Sequence, residues 1–121
     1  MKGELQIQKS QMLMFESEDG AFHIDVRFED ETVWLTQAMM AELFTCTPEN
    51  VLVHIRNIYS EGELLPEATT KDFLVVRQEG SRQVQRMLKF YNLDVMISVG
   101  YRVNSRSATQ FRQWATIPRL H

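Results

Sequence analysis

Between Thr36 and Gly62 the chain carries two short amphipathic stretches with only three residues between them, each opened by a residue able to cap a helix. Thr36 predicts the N-cap of a helix from Gln37 to Phe44, with Met40, Leu43 and Phe44 on one face. Thr45 and Cys46 break that pattern. Thr47 supplies a second N-cap, and Pro48 at the first helical position has its backbone already set for a helix start. The second helix is expected from Pro48 to about Tyr59, with Gly62 as its stop. At 100° per residue, Val51, Leu52, Ile55, Ile58 and Tyr59 gather on one side, and Glu49, Asn50, Val53, His54, Arg56 and Asn57 on the other. So short a link makes the helices cross, and Ala41 is small enough to allow a close crossing. The turn has Thr45 where such turns usually have glycine.

The flanks read as strands. Met12–Glu16 and Phe22–Phe28 predict an N-terminal β-hairpin around Glu18-Asp19-Gly20, because Phe22, Ile24, Val26 and Phe28 alternate with polar residues. Thr32–Leu35 is a short extended piece, and 64–70 reads as a loop around Pro66. Phe73–Arg77 and Val84–Phe90 predict a second hairpin with its turn at Glu79-Gly80-Ser81. Asn92 is expected to cap a helix from Leu93 to Tyr101, and a last helix is expected from Ser105 to Thr116, ended by Pro118. The fold class is therefore α+β: a winged-helix-like domain with a helix-turn-helix, an N-terminal β-hairpin, a β-hairpin wing and C-terminal helices.

A length of 121 residues suits one domain, expected over residues 12–116 with tails at 1–11 and 117–121. A hydrophobic content of 44% supplies one core and excludes a disordered chain. There is no apolar run long enough to span a membrane, the first eleven residues lack the apolar centre of a secretion signal, and Cys46 is the single cysteine. A cytoplasmic location is expected. The net charge of −3 is unevenly spread: residues 1–70 hold four Lys/Arg against thirteen Asp/Glu, residues 71–121 nine against three. A basic half can face phosphate while an acidic half faces away; ordinary scatter of charge is the plainer reading.

Read as a helix-turn-helix, the outer face of the second helix enters a major groove. Asn50, Val53, His54, Arg56 and Asn57 are then the base contacts, since Asn pairs with adenine and Arg with guanine. Thr36, Gln37 and Thr47 at the helix starts, with Lys71, Arg77, Arg82, Arg86 and Lys89 on the wing, are the expected phosphate contacts. The plainer alternatives are a solvated helix face and charged protection of a sheet edge. The expected partner is double-stranded DNA, with a homodimer as a further possibility and no membrane or small-molecule cofactor. The competing readings are a protein-interaction or dimerisation module that binds no DNA, and the N-terminal part of a larger protein whose activity lies in a missing C-terminal region.

Little in the chain points to catalysis. Cys46 and His54, eight residues apart on a turn and the following helix, need not face each other, and Cys46 is expected to pack inside the turn. His23, Cys46 and His54 are too few for a closed zinc site. Asp25, Glu29, Asp30 and Glu31 read as a solvated acidic turn rather than a nuclease metal site. Trp34 and Trp114 are expected as buried anchors, and no glycine-rich phosphate loop is present. No enzyme, cofactor or metal is expected.

Six strings in order, Val33–Gln37, Met40–Phe44, Asn57–Leu64, Tyr91–Asp94, Ser98–Val103 and Phe111–Thr116, together resemble the virulence protein RhuM family. The resemblance spans roughly Phe15 to Thr116. It implies a DNA-binding regulator of mobile-element or virulence-associated genes, similar to phage antirepressors, and it implies no catalytic residue. Ala108 stands where the family usually has Gly, so a tight turn there would be altered. The family pattern continues beyond Thr116, whereas this chain reads Ile117-Pro118-Arg119-Leu120-His121, as a truncated copy would.

Overall fold

The computed structural model describes residues 11–17, 20, 23–103 and 106–115. Phe22 and the turn residues Glu18 and Asp19 lie outside these, as do the chain's two expected tails apart from Gln11. In chain order the elements are β1 (Gln11–Glu16), β2 (His23–Glu29), β3 (Thr32–Leu35), α1 (Gln37–Phe44) and α2 (Pro48–Ser60), then α3 (Pro66–Thr69), β4 (Thr70–Glu79), β5 (Arg82–Asn92), α4 (Leu93–Val103) and α5 (Arg106–Ala115). The α+β class expected from the sequence is what the chain adopts.

The strands form one antiparallel sheet in the order β1-β2-β3-β5-β4. Period-two alternation divides each strand between the two faces. Phe15, Ile24, Val26, Val33, Leu35 and Tyr91 are buried on one face beneath the helices. Met40, Ala41, Leu43 and Phe44 of α1 meet them there, with Val51, Ile55 and Ile58 of α2, Val95, Met96 and Val99 of α4, and Phe111 of α5. Phe15 contacts Phe111 and Trp114 edge-on, at 5.2 and 5.6 Å between ring centroids. Those contacts tie the first strand to the last helix.

The opposite face carries a smaller aromatic cluster. Phe73 lies edge-on to Trp34 at 5.8 Å and to Phe90 at 5.1 Å, and the Arg27 guanidinium sits 4.4 Å from the Phe73 centroid. The Trp34 indole N–H donates to the Glu29 carbonyl at 2.9 Å.

Several expectations need correction. The stretch 64–70 is not all loop: Pro66–Thr69 makes a helical turn, and the Thr69 and Thr70 hydroxyls donate to the Leu65 and Pro66 carbonyls. The β4–β5 hairpin is longer than predicted, running from Thr70 to Asn92. The extended piece 32–35 is a full strand that joins the two hairpins, through Trp34–Asn92 and Leu35–Tyr91 pairing. Position 108, expected near a tight turn, lies within α5, and its side chain is outside the described residues.

Candidate nucleic-acid interface

The α1–α2 pair is built as its end signals dictate. Thr36 Oγ1 accepts the Met39 N–H at 3.1 Å, and the Met39 sulfur accepts the Thr36 N–H at 3.4 Å. A thioether thus stands where a carboxylate usually closes the box. Thr47 Oγ1 accepts the Asn50 N–H at 3.1 Å. Between them Thr45 takes the left-handed conformation (φ 57°, ψ 49°). The Cys46 N–H donates to the Ala41 carbonyl at 3.0 Å and the Thr45 N–H to the Glu42 carbonyl at 3.3 Å. This is the helix ending that glycine ordinarily allows, made here by a β-branched residue at a cost of about 1–2 kcal/mol. The same ending closes α2, where Gly62 takes φ 76°.

Val51, Ile55 and Ile58 hold α2 to the core. The stripe that remains outward centres on Val53, which is 51% exposed. Asn50 and Asn57 flank it on one side and Arg56 on the other, all exposed; His54 stands half-buried at the margin. The structure therefore brings the five expected base contacts onto one accessible helix.

The eight expected phosphate contacts divide. Thr36, Gln37, Arg77 and Lys89 line one groove of about 370 Å³, closed by Pro48 and Tyr91, between the helix starts and the hairpin. The Gln37 side-chain amide donates to the Pro48 carbonyl at 2.7 Å and so fixes the two helix starts to each other. Thr47 is exposed at the start of α2. Arg77, Arg82 and Lys89 are exposed, with no carboxylate in ion-pair distance among the described residues. Lys71 and Arg86 are otherwise engaged. Lys71 Nζ contacts Glu29 at 2.6 Å and Asp30 at 2.8 Å, and those two hydrogen bonds hold its pKa above the ordinary lysine value. Arg86 contacts Glu79 at 3.0 Å. Sequence reasoning missed Pro48, Leu88 and Tyr91 as groove walls, because only the β3–β5 pairing brings the hairpin base beside the helix starts.

The acidic cluster has a structural role at the β2–β3 turn. Asp30 and Glu31 both take positive φ, 56° and 62°, and Lys71 bridges Glu29 to Asp30. Cys46 is half-buried against the core, and burial pushes its thiol pKa up, away from a reactive thiolate. Among the described residues no three His, Cys, Asp or Glu side chains are grouped so as to hold a metal ion, and no helix is long and apolar enough to cross a membrane.

No curated protein and no solved structure matches the chain. The model of the virulence protein RhuM family does match, over residues 68–119. That stretch holds three of the six resembling strings, Tyr91–Asp94, Ser98–Val103 and Phe111–Thr116; α1 and α2 lie before it. Over β4, β5, α4 and α5 the chain thus bears out its resemblance to the virulence protein RhuM family.

Proposed function

We propose that this chain is a sequence-specific double-stranded DNA-binding protein of regulatory rather than catalytic function. In this reading α1 and α2 act as a helix-turn-helix, and β4–β5 acts as its wing. The observation that supports it is an accessible stripe on α2 together with a groove at the start of the same helix. The outer stripe of α2 is accessible and rich in base-pairing amides, while the groove beside its start collects Thr36, Gln37, Arg77 and Lys89. Amides of that kind read adenine edges, and the two hairpin cations add affinity without sequence information.

Lys71 and Arg86 are left out of the primary contact set, because each already spends its charge on carboxylates. The role in regulating mobile-element or virulence-associated genes rests on the family resemblance alone.

The test is selection of bound duplexes from a random pool at two salt concentrations. A shared motif should emerge and affinity should fall steeply with salt. Asn50→Ala or Asn57→Ala should relax the motif at one or two positions. Arg77→Ala with Lys89→Ala should weaken all sequences alike and lower the salt slope by about 2. Absence of any retained duplex at low salt would refute the proposal.

A further inference from the structure

β4 borders the sheet, and no described strand lies outside it. Glu79 and Arg82 flank a two-residue turn, so they exchange hydrogen bonds, and pairing then alternates along the hairpin. Lys71, Phe73, Val75 and Arg77 turn their main chain toward β5. Asp72, Leu74, Val76 and Gln78 turn theirs outward, leaving a row of donors and acceptors on the open border.

Such borders are usually blunted by charge, proline or a bulge. Here the middle, Phe73 to Val76, has none of these. Leu74 and Val76 are 53% and 56% exposed, and Met87, directly across from Leu74, is 62% exposed. They share one face of the hairpin and form a continuous apolar strip beside the open border.

The charges sit at the two ends and are opposite in sign. At the hairpin base Glu29, Asp30 and Asp72 outnumber Lys71 and Lys89; toward the tip Arg77 and Arg82 outnumber Glu79, which also meets Arg86 from the middle of β5. An antiparallel partner made of the same strand places acidic base against basic tip twice over.

We propose that the β4 border is a homodimer interface, with two copies pairing antiparallel about Val75 into one continuous sheet. In this register Leu74 faces Val76 of the second copy and Lys71 faces its Glu79. The outward main-chain groups of Leu74 and Val76 then bond to each other. A two-fold axis perpendicular to the sheet puts the apolar strips of both copies on the same side. Their self-complementarity in shape and charge is what an isologous contact requires. The proposal is argued from the hairpin alone, and its test uses no DNA.

The test is the mass of the full chain in solution, by light scattering after size exclusion, with two sets of variants. Wild type should run at twice 14.2 kDa. Leu74→Lys with Val76→Lys should run as one chain with an unchanged circular-dichroism spectrum. Under mild oxidation Val75→Cys should link to its own copy across the axis and Gln78→Cys should not, with Cys46 common to both. The cross-link decides the matter if the lysine variant fails to fold. A single-chain mass for wild type at every soluble concentration overturns the proposal. So does a dimer that survives both lysines, or equal linking at positions 75 and 78.

Discussion

The two ends of β5 sit in contrasting surroundings. At its C-terminal end Phe90 and Tyr91 are buried, one in the back-face aromatic cluster and the other beneath the helices. From Arg82 to Met87 every residue of the same strand is exposed except Val84, which is half-buried. One strand thus serves as a wall of the core and as an arm reaching beyond it. Stability is concentrated where the helices cover the sheet, and the cations free for a partner are concentrated where they do not. Substitutions in the two regions should separate folding from binding.

The largest effect is expected in the core. Phe111 is fully buried between Phe15 and Trp114, so Phe111→Ala should lower unfolding stability by about 3–5 kcal/mol. Gln83→Ala on the exposed arm should change it by less than about 0.5 kcal/mol. Urea titration of both variants gives the ratio. Similar losses would mean that the arm and the covered core do not divide as described.

A smaller effect belongs to the junction between the regions. Thr47→Ala removes the acceptor for the Asn50 N–H at the start of α2 and should cost about 1 kcal/mol. The opposite sign is expected two residues earlier, at the end of α1. Thr45→Gly relieves a left-handed β-branched residue and should raise the melting temperature, by a stabilisation of up to about 1 kcal/mol. A destabilised Thr45→Gly would show that the threonine makes compensating contacts.

The smallest effect is a pH dependence. Glu63 accepts from the Ser98 hydroxyl at 2.7 Å and from Arg102 at 3.0 Å, and these bonds hold its pKa below the ordinary carboxylate value. A carboxylate lowered on folding stabilises the native state above its unfolded pKa. That contribution is lost as pH falls through the folded value. Glu63→Gln should therefore flatten part of the acid limb of the stability–pH curve, by lowering stability slightly at neutral pH and leaving low pH nearly unchanged.

Much of the helical layer was legible because its signals are local. Thr36, Thr47-Pro48, Gly62 and Asn92 lie within four residues of the helix ends they define, and the period of apolar residues placed Val51, Ile55 and Ile58 inward. The outer stripe of α2 followed from the same arithmetic. The rest depends on partners distant in sequence. Lys71 lies 41 residues from Asp30, so nothing near it revealed that its charge was already engaged. The ends of β4 and β5 were underestimated because an arm exposed on both faces has no alternation to read: Gln78, Gln83 and Gln85 look like loop residues. The groove itself arises only when β3 pairs with β5 and draws Arg77 and Lys89 toward Thr36 and Gln37.

The most direct test of the central claim is amide chemical-shift mapping of the full chain on titration with a selected duplex. The account predicts that the largest changes fall on Asn50 to Asn57 and on the hairpin around Arg77 and Lys89, with β1 and α5 nearly silent. Changes confined to β1, β2 or α5, or no change at a salt concentration where the duplex is retained, would contradict it.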